Sequence, residues 1–158
     1  MVRVILRDVV EDDLPVFFEY QQDPLANHMA AFTSKNPADR EAFMAHWARI
    51  LSDDTVTTKT ILLADQVVGS VGSYVQSGET EVTYWIGREH WGKGIATDAL
   101  SQLLEQVKVR PLHARAAKDN LSSIRVLEKC GFAITGYDRG FANARGEEIE
   151  EVIMELQD

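Results

Sequence analysis

Residues 81–107, EVTYWIGREHWGKGIATDALSQLLEQV, change hydrophobic period partway along. Through Gly87 the β-branched and aromatic residues read as a strand. Past two glycines flanking Lys93 the spacing becomes helical, and Ala96, Ala99, Leu100, Leu103, Leu104 and Val107 fall on one face of a helix over 94–108. LHARAA (112–117) then reads as another short strand. Strand, glycine turn, helix and strand in that order require a crossover in the middle of the chain.

The flanking elements suit a mixed α/β (α+β) domain. VRVILRD (2–8) is an expected strand. Asp12 or Asp13 is the expected cap of a short helix carrying Leu14, Phe17 and Phe18 and ending before Pro24. Asn36-Pro37 reads as the start of a second helix, which places Phe43, Trp47, Ile50 and Leu51 at helical spacing. TKTILLADQVVGSVGSYVQ predicts two strands joined near Ala64–Gln66, and the strand 81–87 follows an SGET turn. Asn120 is the expected cap of a last helix ending at Gly131, after which AITGYDRGF and IEEVIMEL form an antiparallel pair.

Length and charge narrow the function. A chain of 158 residues is expected to form a single domain, 1–158. No apolar run reaches the roughly 18 residues of a membrane span, and MVRVILRDVVEDD carries no apolar signal core. One cysteine excludes an internal disulfide and points to the reducing cytoplasm. With 16 basic against 25 acidic residues the net charge is −9, and no basic stripe suits nucleic acid. That acidity either keeps the chain soluble or attracts a cationic substrate such as an amine.

The glycine loop admits three readings. As a Walker loop, Gly87-x4-Gly92-Lys93 is followed by Gly94, where Ser or Thr must hold magnesium. As a dinucleotide fingerprint, Gly92-x-Gly94-x-x-Thr97 lacks the third glycine, and the preceding strands form a meander. Both fail on chemistry.

The third reading fits. Trp91-Gly92-Lys93-Gly94-Ile95-Ala96 resembles the pyrophosphate loop of the GNAT N-acetyltransferase superfamily, Gln/Arg-x-x-Gly-x-Gly/Ala. Trp91 departs from the usual first residue, as in the branch that resembles ribosomal-protein-alanine N-terminal acetyltransferases. DNLSSIRVLEKCGF resembles the family's last helix, with Asn120, Ser123, Val126, Leu127, Glu128, Lys129, Gly131 and Phe132 in frame. The opening LRD, the strand TEVTYWIG and the closing EEVIMEL extend the likeness over nearly the whole chain; it is weakest between residues 20 and 55.

The resemblance implies a twisted, mostly antiparallel sheet of about seven strands flanked by about four helices. The strand ending at Ile86 and the strand starting near Leu112 would splay into a V-shaped slot. Acetyl-CoA would enter it, its pantetheine bonding the backbone of Tyr84, Trp85 and Ile86. The amides of Gly92, Lys93, Gly94, Ile95, Ala96 and Thr97 would hold the pyrophosphate, since glycines admit a close anion and the helix dipole stands behind them. Asn120 would reach the pantetheine, cap its own helix, or do both. A backbone amide near Trp85 or Ile86 would stabilise the oxyanion.

An amine that attacks the thioester must be neutral. A side-chain amine of pKa near 10.4 is neutral roughly one part in a thousand at pH 7, whereas an α-amine near 8 is about a tenth neutral. Glu81 is the candidate that orients or deprotonates it, against the alternative of an ordinary glutamate near a turn. Where many relatives have a tyrosine acid this chain has Leu127. Ser123 is then the candidate donor to the leaving thiolate, or no acid is needed, since a thiolate of pKa near 8.5 is a tolerable leaving group; the second is preferred.

Other residues carry plainer readings. Cys130, Phe43 and Trp47 suit the core. Histidines 28, 46, 90 and 113 lack ligand spacing, so no metal is expected. His28 and Phe32, in the segment between the first two helices, are candidates to line the acceptor pocket. The expected partners are acetyl-CoA and an amine, cationic or a protein N-terminus, with no membrane or nucleic acid; the chain is expected to be a monomer or homodimer. The alternative to an enzyme is an acyl-CoA-binding regulatory module that has lost turnover.

Overall fold

The computed structural model describes residues 3–158. Seven strands form one sheet in the order β1-β2-β3-β4-β5-β7-β6. They are β1 (Ile5–Asp8), β2 (Thr57–Leu63), β3 (Gln66–Gln76), β4 (Glu79–Ile86), β5 (Leu112–Ala117), β6 (Ala133–Ala142) and β7 (Glu147–Leu156). Every neighbouring pair is antiparallel except β4 and β5, which are parallel because a helix connects them. The α-helices among the described residues are α1 (Leu14–Tyr20), α2 (Pro24–Ala30), α3 (Arg40–Ser52), α4 (Ile95–Gln106) and α5 (Leu121–Lys129).

The hairpins explain the first half of the sheet. Ala64 and Asp65 both have positive φ, 51° and 65°, and Ser77 and Gly78 repeat this at 53° and 78°. Two left-handed residues make the tight turn whose twist suits paired strands. β4 therefore begins at Glu79, two residues earlier than expected.

Helix starts are where expectation and structure differ. Five helices stand where about four were expected, the additional one being α2. Asp23 accepts from the Ala26 amide at 3.0 Å and Pro24 takes the first helical position, so the dipeptide opens a helix rather than only ending one. Asn36-Pro37 does not start α3. Asn36 accepts from Ala38 in a local turn, and Asp39 supplies the cap by accepting from Ala42 at 3.0 Å. Asp13 makes no side-chain cap either. It is only 2% exposed and accepts from Arg7 at 2.7 and 2.8 Å, from the Thr60 hydroxyl at 2.6 Å and from the Val10 amide at 3.0 Å. The first strand begins at Ile5 rather than residue 2; Met1 and Val2 lie outside the described residues.

Two cores result. On one face of the sheet Ile95, Ala99, Leu100 and Leu103 of α4 pack with Val68, Val71, Val82, Ile86 and Ala114. Away from it, Leu14 and Phe17 of α1 pack on Phe43 and Trp47 of α3. A third, small contact of Ala31, Ala117 and Ala142 seats the end of α2 on the sheet.

Candidate active site

The parallel pair is short. β4 and β5 are in register only at Thr80↔Leu112 and Glu81↔His113. Beyond that point β4 stays with β3 as far as Ile86, and β5 stays with β7 as far as Ala117. The two strands therefore part, leaving a gap that opens toward the β4–α4 loop.

Alternation decides which backbone groups line the gap. Gly87 donates to Val68 at 2.9 Å, and the β3–β4 register runs unbroken from there. In an antiparallel pair every second residue bonds the partner, so Trp85, Thr83 and Glu81 turn their backbone to β3. Val82, Tyr84 and Ile86 turn theirs to the gap. Of the three strand residues expected to hold pantetheine, Trp85 is thus turned away, and its amide is equally unable to serve an oxyanion. The Ile86 carbonyl is engaged by the Trp91 indole N–H at 2.9 Å. Tyr84 keeps both backbone groups on the gap, and Ile86 its amide.

The loop after β4 forms a cradle of unpaired backbone amides. Gly92 and Gly94 have φ of 75° and 80°, and a Cβ on either would meet nothing within 4 Å. Backbone conformation, not crowding, calls for glycine there. Across Gly92 to Thr97 six consecutive amides donate to no protein acceptor; the next, Asp98, donates to Gly94 at 3.1 Å. These amides sit on the N-terminus of a 12-residue helix, so partial positive charge gathers at the loop. The helix is held firmly: Ile95, Ala99, Leu100 and Leu103 are buried, and Asp98 accepts from the Val4 amide at 2.7 Å.

A hydroxyl pair spans the gap. Tyr84 Oη lies 2.6 Å from Ser123 Oγ on α5, so one side chain crosses from β4 to the helix behind β5. Burial pushes the Tyr84 phenol up to about 12, against a smaller opposing effect of the Ser123 hydrogen bond. Leu127 is fully buried in the core. Asn120 caps α5, accepting from Ser123 at 3.3 Å, while its side-chain nitrogen donates to the Met29 carbonyl at 3.2 Å. Cys130 is half-buried 3.7 Å from Ser101 Oγ and from the Thr97 carbonyl, and burial raises its thiol pKa. That is the setting of a core thiol rather than a reactive one.

Glu81 stands at the base of the gap. It is 6% exposed and accepts no hydrogen bond, and its nearest cation is Arg115 Nε at 4.0 Å. Burial raises its pKa, Arg115 opposes this, and Glu79 adds to it. A carboxylate moved toward neutrality is a better base at physiological pH. Arg115 itself reaches Glu151 at 2.7 Å and Asp138 at 3.0 Å. The His28 carbonyl accepts from Arg145 at 2.7 Å, and Phe32 lies 3.5 Å from where a Cβ of Gly140 would stand. Both candidate acceptor residues thus sit where α2 meets β6 and the turn before β7. Sequence reasoning missed Arg115, Glu151, Asp138 and the reach of Tyr84. The only signal was period two in LHARAA, which puts His113 and Arg115 on one face.

Among the described residues no cluster of His, Cys, Asp and Glu could hold a metal ion, and no helix is long and apolar enough to cross a membrane.

Known proteins agree with this geometry. Residues 3–133 match the family model described as an acetyltransferase (GNAT) domain. An uncharacterized N-acetyltransferase p20 of Bacillus licheniformis is 25% identical over 164 residues, covering 98% of this chain and 92% of that protein. Two solved structures share the fold at lower identity. A spermidine N-acetyltransferase from Vibrio cholerae, in complex with CoA and spermine, superposes with a TM-score of 0.84 at 16% identity over 98% of this chain and 95% of that one. A ribosomal-protein-alanine N-acetyltransferase from Brucella melitensis does so at 0.82 and 20% over 98% and 99%. With the family model covering most of its length, and a splayed sheet and amide cradle to match, this chain belongs to the GNAT acetyltransferase family.

Proposed function

We propose that this protein transfers the acetyl group of acetyl-CoA to a primary amine by direct attack. The observation that carries the reading is the run of unpaired amides from Gly92 to Thr97 beside a gap in the sheet. Backbone N–H groups on a helix N-terminus suit a pyrophosphate, and Lys93 adds a cation to the same loop. The gap beside them offers Tyr84 and Ile86 backbone to an extended arm, as a missing strand would be received.

The chemistry follows from the base of the gap. Glu81 takes a proton from the incoming amine, directly or through a water. The nitrogen then forms a bond to the thioester carbonyl carbon, the second proton it must shed passes to water, and the carbon–sulfur bond breaks to release CoA thiolate. The Ile86 amide faces the carbonyl oxygen as negative charge develops on it. The hydrogen-bonded Ser123–Tyr84 pair receives the thiolate, one hydroxyl donating to the other and the second donating to sulfur. A phenol near 12 does not surrender its proton to a thiolate near 8.5, so the pair stabilises charge and transfers no proton. With these groups in place the absent tyrosine at Leu127 does not argue for a chain without turnover.

Titration calorimetry is the test. Acetyl-CoA is expected to bind tightly, with no heat from ATP or NAD, and CoA release is expected only when an amine is supplied. Binding of a nucleoside triphosphate without binding of CoA would overturn the reading.

A further inference from the structure

Residues paired across a sheet share a face. Tyr74 and Glu81 are paired, as are Glu81 and His113, Arg115 and Ile153, and Asp138 and Glu151. Their side chains therefore share one face of the sheet, the face on which Ala31 packs against Ala117. The amide cradle and α5 belong to the opposite face. An acyl donor held by the cradle thus approaches the base of the gap from one side, and an acceptor meets it from the other, beside Glu81.

This acceptor face has a definite charge. Glu81, Glu151 and Asp138 surround the single guanidinium of Arg115, and Glu79 lies close enough to Glu81 to add to its negative surroundings. The nearby cations are committed as well: Arg115 to Glu151 and Asp138, Lys118 to Glu150, and Arg145 to Asp119 at 2.8 and 2.9 Å. Glu81, more than nine-tenths buried and without a hydrogen bond, is the polar group left to be met at the base of the gap. The far end of the face is walled. The turn between β6 and β7 is fastened to the end of α2 by Ala144 N–H to the Ala31 carbonyl, Asn143 to Thr33 and Arg145 to His28.

Building on the acetyltransfer reading, we propose that the acceptor is a small, linear di- or polyamine with no carboxylate beside the attacking nitrogen. Its first nitrogen meets Glu81, and a second ammonium lies toward Glu151 and Asp138. These carboxylates converge on one guanidinium, Glu81 at 4.0 Å from Arg115 and Glu151 and Asp138 at 2.7 and 3.0 Å, so they lie within the span of a short diamine. A free amino acid would bring its carboxylate to a face whose guanidinium is already saturated, and like charges there repel.

Matched pairs test this on the intact protein: putrescine against L-ornithine, and cadaverine against L-lysine, followed by CoA release with acetyl-CoA saturating. The decarboxylated partner is expected to have a kcat/KM at least about tenfold higher in each pair, with a KM that rises with ionic strength. Glu151→Gln, by unsaturating Arg115, is expected to raise the diamine KM and narrow the preference to about threefold or less. Equal or reversed preference in the wild type overturns the inference, as does a peptide used in place of every small amine. Bound acetyl-CoA with no amine turned over also overturns it. Failure to bind acetyl-CoA at all would instead remove the acetyltransfer reading on which it rests.

Discussion

Glu81→Gln removes the charge and the basic oxygen of this side chain together, and the pH dependence of the loss tells the two apart. The carboxamide fills the same space, and Glu81 accepts no hydrogen bond that the change would break. Arg115 keeps Glu151 and Asp138, so the fold is expected to hold its Tm within about 2 °C. Catalysis is another matter. In the wild type the active form carries ionised Glu81, so kcat/KM rises through the pKa of that residue and then levels. Because burial raises that pKa, the rising limb lies at higher pH than for an ordinary carboxylate. The variant must wait for amine that is already neutral, and its kcat/KM rises tenfold per pH unit up to the amine pKa, about 10.4 for a side-chain-like amine. A positioned base contributes about 100-fold at neutral pH, or about 2.7 kcal/mol. The deficit should then close to about tenfold at pH 8 and vanish near pH 9. Thiol release followed from pH 6 to 10 reads both profiles, and calorimetry confirms unchanged acetyl-CoA affinity. Two parallel profiles with a constant ratio would show that Glu81 carries charge but moves no proton.

Three further perturbations probe the loop, the hydroxyl pair and the scaffold. Gly94→Val imposes a β-branched residue on a φ of 80° and crowds the cradle; acetyl-CoA binding by calorimetry should be lost while circular dichroism is unchanged, and normal binding would mean the loop holds no pyrophosphate. Tyr84→Phe and Ser123→Ala should each lower kcat by about tenfold with little change in acetyl-CoA affinity, and the double variant should cost no more than either alone; additive losses would show that the 2.6 Å contact is not used as a unit. Asp13→Ala strands the Thr60 hydroxyl and the Val10 amide, at about 1–3 kcal/mol each, so Tm should fall by about 5–15 °C; a shift under 2 °C would refute the assignment of Asp13 as a structural hub. The Asp13 pKa is lowered by Arg7, Thr60 and Val10 acting together against desolvation, the largest single influence. The stability it contributes is therefore complete above the ordinary carboxylate pKa and is lost as pH falls through the depressed value, a loss that acid melting curves of the variant should lack.

Much of the fold was legible because local chemistry repeats it. Alternation and the two tight turns announced β2, β3 and β4, and helical spacing announced α4 to within two residues at either end. The misreadings all involve competition between neighbouring polar side chains. Asp23, Asn36, Asp39 and Asp13 are each good caps by type. Which one caps is decided by competing partners, distant or near: Asp13 is claimed by Thr60, 47 residues away, whereas Asn36 spends its oxygen on the amide of Ala38, two residues on.

The two halves of the candidate site were unequally legible for a physical reason. The donor side is built from backbone: six amides, two glycines at positive φ and a helix N-terminus, all within one stretch of chain. Local sequence dictates such a device, because only certain residues permit that backbone path. The acceptor side is built from side chains on four strands. Glu81, Arg115, Asp138 and Glu151 are spread over seventy positions and meet only because β7 inserts between β5 and β6. No local pattern demands those residue types there, since glutamate and arginine on a strand equally suit a solvated face. The same separation has a functional consequence. On the proposed reading, a side chain on β6 or β7 can change without disturbing the backbone assigned to the acyl donor, so acceptor choice could be altered while the transfer chemistry is kept. Asp138 and Glu151 are where such changes should act, through the charge left on Arg115.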